Sequence, residues 1–267
     1  MTSYDLTGRK ALVTGGARGL GAGMAEALAQ AGAAVAIADV LEDVGKETAQ
    51  TLRDSGAVAE FVQLDVTQDA SWADAVTNVV NSLGGLDLVV NNAGVEITSL
   101  LADLDPAGLR KMLDVNVVGT ALGIKHAFRA MRPGGPAGQG GAVVNISSVA
   151  ATIAFPGIAG YSATKSGIDR LTRVAAAESG RLGYGVRVNC IYPGLTPTTM
   201  GNQLAVDCAE LGLFPSAEEA AAAVVSLTPG GRLGQVDDMA DAVVFLASDA
   251  AKFITGAGLP VDGGMGM

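Results

Sequence analysis

The sequence predicts an α/β fold, a doubly wound parallel sheet of about seven strands with helices on both faces. Three observations predict it. Short, continuous runs of Val, Ile, Leu and Ala alternate with amphipathic stretches along the whole chain, the pattern of strands buried on both sides. Each run is too short to be a helix and stops at Gly, Asp or Asn, the residues that turn a chain. No repeat and no linker interrupts 267 residues of 49% hydrophobic composition, enough chain to bury one large core, so residues 1–267 read as a single domain.

Taken in order, Lys10 to Val13 is the first strand, stopped by Thr14-Gly15-Gly16, and a helical stretch from Gly19 to Ala31 follows. Ala33 to Ala38 is the second strand, capped by Asp39. Further strands are expected at Ala57 to Leu64, Leu86 to Val90, Ala142 to Ile146, Val186 to Ile191 and Gly258 to Val261. Helices start near Asp43, Asp69, Pro106, Ser162 and Val236. Two segments break the alternation. Pro133 to Gly141 reads PGGPAGQGG and is a surface loop. Leu195 to Arg232 is too long for a plain connection and carries the helix-like run EEAAAAVV. An insertion there, at the carboxyl end of a parallel sheet, sits where a lid over a substrate would.

Composition removes several function classes. With 17 basic and 27 acidic residues the formal charge is -10, so the surface repels phosphate backbones and anionic lipids, and neither nucleic acid nor membrane is an expected partner. One histidine, His126, and two cysteines, Cys190 and Cys208, cannot build a four-ligand zinc cage or a CxxC redox pair, so no metal is expected. A histidine relay would rest on His126 alone, with no nucleophile motif beside it. The N-terminus MTSYDLTGRKALV lacks the layout of a signal peptide, and no apolar run approaches the ~20 residues that span a bilayer. The expected address is cytoplasmic.

The turn Thr14-Gly15-Gly16-Ala17-Arg18-Gly19-Leu20-Gly21 lies between the first strand and the first helix. Glycines there let the backbone approach a pyrophosphate whose charge sits at the helix N-terminus. That makes Gly15, Arg18, Gly19, Leu20 and Gly21 candidate cofactor contacts in a Rossmann arrangement. Asp39, with Val40 beside it, closes the second strand 18 residues after Gly21. A carboxylate at that place accepts hydrogen bonds from an adenosine ribose and repels a 2'-phosphate, which favours NAD over NADP. Arg18 pulls the other way, as a guanidinium that can pair with a phosphate. A helix N-cap is the alternative use of Asp39. Asp65-Val66 and Asn91-Asn92-Ala93-Gly94 end the third and fourth strands, where their small and amide groups suit an adenine and ribose. Each is also an ordinary strand-ending turn.

The fifth strand ends in Ser147-Ser148, and thirteen positions after Ser148 comes Tyr161, then Ser162-Ala163-Thr164-Lys165. Tyr161 and Lys165, one helical turn apart, share a face. An ammonium beside a phenol stabilises phenolate and so makes a base of it, while the same lysine can bond a nicotinamide ribose. Ser148 can then hold the substrate oxygen, and Asn116 can hold a water that feeds protons to Lys165. An exposed helical pair is the bland alternative for a bare YxxxK.

The ordered set of these motifs resembles the short-chain dehydrogenase/reductase family in its single-domain form, over nearly the whole chain. TGGARGLG, Asp65-Val66, NNAG, Asn116, Ser148, YSATK, Pro193-Gly194 and Val261-Asp262-Gly263-Gly264 occur in family order. The resemblance implies Asn116, Ser148, Tyr161 and Lys165 as a catalytic tetrad, and Pro193, Gly194, Thr196 and Thr198 as contacts to the nicotinamide half of the cofactor. Ala38-Asp39-Val40-Leu41 and PGLTPTTM are similar to bacterial NAD-dependent hydroxysteroid dehydrogenases. The reaction so implied is the interconversion of a secondary alcohol and a ketone with NAD. The uncharged stretch VAATIAFPGIAG, from Val149 to Gly160, and Leu204, Leu211, Leu213 and Phe214 of the lid suit a bulky apolar cyclic or steroid-like substrate. Packing and subunit contacts account for part of those residues equally well. Two alternatives share the motifs: a reductase of β-ketoacyl carrier proteins, opposed by Asp39 and the acidic charge, and a dinucleotide sensor without turnover, opposed by the intact tetrad. The resemblance and the long helices near Pro106 and Ser162 also imply a homotetramer, with the segment near Val261 at a second contact. The loop after Met131 departs from the pattern. So does Glu96, which can face the substrate cleft or solvent.

Overall fold

The structure, a computed structural model, describes residues 4–267. Seven strands form one sheet: β1 (Lys10–Thr14), β2 (Ala34–Asp39), β3 (Ala59–Gln63), β4 (Leu88–Asn91), β5 (Gly141–Ile146), β6 (Val186–Pro193) and β7 (Gly258–Val261). Their order is β3-β2-β1-β4-β5-β6-β7, and every pairing is parallel. Winding runs outward in one direction from β1 to β3 and in the other from β4 to β7. The reversal between β1 and β4 leaves a crevice at the carboxyl ends of those two strands.

Strand residues alternate between two cores because side chains on a strand point to opposite faces in turn. Ala11, Val13, Val35, Ile37, Leu88, Val90 and Val144 pack on one side, with α1 (Gly19–Gln30) and α9 (Val236–Ala247). Leu12, Ala36, Val89, Val143 and Val188 pack on the other, with α3 (Asp69–Leu83), α5 (Gly119–Met131) and α6 (Ala159–Leu182). Because both faces are covered, these strands show no polar alternation, which is why their sequences are continuous apolar runs.

The remaining helices are α2 (Glu42–Asp54), α4 (Pro106–Met112), α7 (Thr199–Glu210) and α8 (Ala217–Leu227). Three local features differ from the sequence expectations. The helix expected near Ser162 begins at Ala159, so Tyr161 lies inside its first turn. The helix expected from Pro106 is one rod in three parts: Asp105 caps α4 by accepting from Ala107 and Gly108, six residues from Leu113 to Val118 form a π-turn, and α5 continues. Asn116 sits in that π-turn, fully buried. The insertion after Leu195 is two helices, α7 and α8, rather than one helix-like run. Thr198 caps α7 and Ser216 caps α8, each hydroxyl accepting an orphan backbone N–H. Among the described residues, no helix is long and apolar enough to cross a membrane, and no cluster of acidic, histidine or cysteine side chains has the arrangement of a metal site.

Candidate active site

The glycine turn is built by local sterics. Gly15 and Gly19 hold φ of +62° and +59°, a left-handed backbone that side chains with a Cβ rarely adopt. A Cβ on Gly21 would strike the Gly15 carbonyl, and one on Gly15 would come within 2.9 Å of Ala93 Cα. Gly19 differs from both. The space its Cβ would fill is open except for Thr198 Cγ2, 3.9 Å away across the cleft. Helix α1 begins there with no side-chain cap and no acidic residue in its first turn. Its first N–H groups therefore have no side-chain partner, an arrangement that suits a pyrophosphate.

Strand ends complete the crevice. The Asp39 carboxylate accepts from Ala17 N–H at 3.1 Å and Leu41 N–H at 3.0 Å, so it is a fixed anion beside the glycine turn. It does not cap α2, whose N-cap position is Leu41. Arg18 is exposed and pairs with no acid among the described residues, whereas Val40 stands exposed next to Asp39. Strand β3 stops at Gln63, before Asp65, whose carboxylate is engaged by Thr67 N–H and hydroxyl. Val66 lines a small recess with Thr14, Ala93 and Val115. Asn92 spends its amide on the carbonyls of Thr14 (2.9 Å) and Gly15 (3.1 Å), tying β4 to the glycine turn, and so positions the crevice. Gly194 packs within van der Waals reach of Asp262, and Thr196 turns its hydroxyl to the Gly194 carbonyl. Their closeness follows from joining β6 to the segment after β7.

At the end of β5 the chemical groups converge. Lys165 is 4% exposed; its Nζ donates to the Ile146 carbonyl at 2.8 Å and lies 5.3 Å from the centre of the Tyr161 ring. Burial pulls its pKa down to about 8. Burial pushes the Tyr161 phenol well above its ordinary value, against which the Ser148 hydroxyl pulls it down and the Glu96 charge adds to the rise. Ser148 is itself held by accepting from Ala150 N–H. Asn116 does not stand free to hold water by its side chain. Its amide donates to the Val95 carbonyl (2.9 Å) and Thr164 hydroxyl (3.0 Å), and its oxygen accepts from Val95 N–H (2.8 Å). Asn116 thus acts on position, clamping the strand-end segment to the helix that carries Tyr161 and Lys165.

Several supporting groups were not anticipated from sequence. The Thr14 hydroxyl accepts from Asn92 and Ala93 N–H, Ser147 donates to the Lys165 carbonyl, and a buried chain runs from Asn91 through Asn145 to Thr172. Their partners lie 18 to 79 positions away, and no local pattern points to them. His126 plays no part here: its ring stacks on Trp72 and meets the Asp69 carboxylate at 2.7 Å, joining α5 to α3.

A family model described as enoyl-(acyl carrier protein) reductase matches residues 15–266, nearly the whole chain. The chain belongs to the short-chain dehydrogenase/reductase family. Among its relatives, trans-4-hydroxycyclohexanecarboxylate dehydrogenase of Sinomonas cyclohexanicum is 37% identical over 260 residues, covering 95% of this chain and 91% of that one. The 3-alpha-(or 20-beta)-hydroxysteroid dehydrogenase of Mycobacterium tuberculosis is 37% identical over 262 residues, covering 98% and 91%. A gluconate 5-dehydrogenase of Burkholderia cenocepacia, solved with NADP and tartrate, superposes with a TM-score of 0.85 at 34% identity, covering 98% and 97%. The chain is an oxidoreductase of this family, which uses a nicotinamide dinucleotide.

Proposed function

We propose that the protein interconverts a secondary alcohol and a ketone with NAD as hydride acceptor, its substrate being bulky, cyclic and mainly apolar. The observation that carries the reaction is the Lys165 ammonium lying 5.3 Å from the Tyr161 ring, with Ser148 at the phenol. A nicotinamide dinucleotide held in the crevice would supply the hydride acceptor for the carbinol carbon. Ser148 and Tyr161 hold the substrate oxygen. Tyr161, its phenolate stabilised by the Lys165 ammonium, takes the hydroxyl proton in oxidation and returns it in reduction. The proposed cofactor contacts are Gly15, Arg18, Gly19, Leu20, Gly21, Asp39, Val40, Asp65, Val66, Asn92, Ala93, Gly94, Pro193, Gly194, Thr196 and Thr198, with Tyr161 and Lys165 at the ribose.

NAD is favoured because the Asp39 carboxylate is pinned by two N–H groups and so cannot swing away from a 2'-phosphate, while Arg18 is free in solvent. The apolar reading rests on Phe155 and Phe214, whose rings stack with centres 6.1 Å apart, and on Leu211 and Leu213 over Gly157. Residues 195–232 then serve as the lid. Substrates printed in the names of two relatives, a hydroxycyclohexane and a hydroxysteroid, support the same class. A homotetramer is supported by exposed Leu113, Val118 and Val174 on the long helices, and by edge strand β7 with Phe253 fully exposed nearby.

The deciding experiment is a panel of cyclic alcohols, polyols and an acyl thioester, each assayed in its reactive direction with NAD(H) and NADP(H). Cyclic alcohols with NAD should win in kcat/KM, and Asp39→Ala should narrow the cofactor gap. A wild-type preference for NADP overturns the cofactor assignment; a win for the thioester moves the protein to the acyl-carrier class named by its family model.

A further inference from the structure

Glu96 is the one charged side chain of the cleft that neither the tetrad nor the dinucleotide site uses. Its place is set from both sides. Val95, immediately before it, is clamped at N–H and C=O by Asn116. Ser99, just after, donates its N–H to the Gly157 carbonyl at 2.8 Å and bridges to Ile158, three residues before Tyr161. Thr98 Oγ1 donates to the two Glu96 carboxylate oxygens at 3.0 and 2.9 Å and so orients the group. The methyl of the same threonine stands with Leu211 and Leu213 around Gly157.

The segment that carries the carboxylate is therefore tied to the helix of Tyr161 through Asn116–Thr164 and Ser99–Ile158 and reaches Gly157 beside Leu211 and Leu213, and its charge is felt by Tyr161 and by Cys208 of α7. Its neighbours are all neutral or acidic. Asp207 of α7 adds repulsion, and among the described residues no lysine or arginine pairs with it. An ionised carboxylate has about four acceptor positions, of which one threonine hydroxyl uses only part. Leu211 and Leu213 stand with Thr98 around Gly157, and Phe155 stacks on Phe214; none of these four apolar side chains offers a donor. The acceptor positions that the threonine leaves open can therefore take a donor carried by a substrate.

We propose that Glu96 is the polar end of the substrate pocket, accepting a hydrogen bond from a second hydroxyl on the ring of a cyclic diol or hydroxyketone and excluding substrates that carry a carboxylate there. This rests on the alcohol–ketone reading above. It also separates the protein from its hydroxycyclohexanecarboxylate relatives, since two carboxylates facing each other without a cation repel.

The test compares cyclohexanol, cyclohexane-1,4-diol and trans-4-hydroxycyclohexanecarboxylate with wild type, Glu96→Gln and Glu96→Leu. Thermal melting first establishes that each variant is folded. In kcat/KM the wild type should prefer the diol to cyclohexanol by about tenfold and disfavour the carboxylate by a similar factor. Glu96→Leu should abolish the diol preference, mainly through KM, and Glu96→Gln should relieve the carboxylate penalty. That penalty should also grow between about pH 6 and about pH 8.5 in the wild type as Glu96 ionises. Taking the ratio of two substrates cancels the titrations of Tyr161, Lys165, Cys208 and Asp207 that both share. Binding of the same three compounds to the enzyme–NADH complex, followed by NADH fluorescence, supplies a readout without turnover. If no alcohol is oxidised, the alcohol–ketone reading fails while binding still decides the role of Glu96. Substrate ratios that are the same in wild type and both variants overturn the proposal.

Discussion

Tyr161 and Lys165 are both shifted toward their neutral forms by burial. The lysine is brought down to about 8 while the phenol is held high, so the first proton to leave this pair as pH rises is the lysine's. Oxidation needs the form that has lost one proton, and reduction needs the form that has both. We expect the oxidation rate to rise through about pH 8 and the reduction rate to fall over the same range. Tyr161→Phe removes the proton acceptor, so kcat should drop by at least ~10²-fold while dinucleotide titration stays near wild type; near-normal turnover would remove Tyr161 from the mechanism. Glu96 gives a stability prediction of definite sign. Burial raises its pKa from 4.5 to about 7. Between those values the folded state keeps a proton that the unfolded chain has released, so stability falls as pH rises through the window. Glu96→Gln should therefore stabilise the protein above pH ~7, by about 1–3 kcal/mol at most, and lose that advantage toward pH ~4.5. Melting temperatures at the two ends of the range check it.

Among the elements, the glycine turn separates folding from binding within three residues. Gly21 faces protein, so Gly21→Ala forces its Cβ into the Gly15 carbonyl and should lower the melting temperature. Gly19 faces the cleft. Gly19→Ala should cost only the ~1 kcal/mol of a left-handed backbone in stability, yet raise the dinucleotide Kd disproportionately if, as proposed, the new methyl enters the space of the pyrophosphate. Equal losses of stability and affinity in both variants would show that the turn is scaffold alone. The rod from α4 to α5 makes a similar point. Its π-turn rotates the following helix and delivers Asn116 to Val95 and Thr164 in the buried wall of the site. Asn116→Ala leaves the Val95 N–H and C=O without their partners, a cost of about 1–3 kcal/mol each for a buried polar group. Calorimetry should show that loss, and kcat should fall with it since Glu96 and Lys165 are anchored through the same contacts.

For the whole molecule, the parallel order with its reversal between β1 and β4 gathers every functional group at one end of the sheet. Glycine turn, Asp39, NNAG, Ser148 and Pro193 all stand at or just past the carboxyl ends of strands, and α7 and α8 follow β6 from the same end. At the opposite end Arg9 and Lys10 pair with Asp87. Association belongs to this scale too. With apolar Leu113, Val118 and Val174 on the outer helices and Phe253 beside the edge strand, light scattering at micromolar concentration should give the mass of a tetramer. A monomer there would leave those side chains as surface scatter.

The alternation of elements, the glycine turn, Asp39 and the Tyr161–Lys165 pair were readable from sequence because each depends on local rules. A strand buried on both faces must be continuously apolar, a left-handed turn needs glycine, and side chains four apart on a helix must share a face. Strand limits came within two or three residues for the same reason, and the start of α6 was missed because Pro156-Gly157 resembles a stop although the helix begins just after it. Other features depended on contacts between distant parts of the chain. The π-turn at Asn116 has ordinary helix-forming neighbours and exists because its amide reaches Val95 and Thr164. Thr14, Ser147 and the Ile146 carbonyl serve partners on other elements. Whether Glu96 met the cleft or solvent was undecidable from its neighbours, since a carboxylate after a strand-ending turn suits either. Thr98 and Ser99 meet the loop at Gly157 and Ile158 before Tyr161, and only that long-range pairing half-buries the acid and lets its charge reach the Tyr161 phenol.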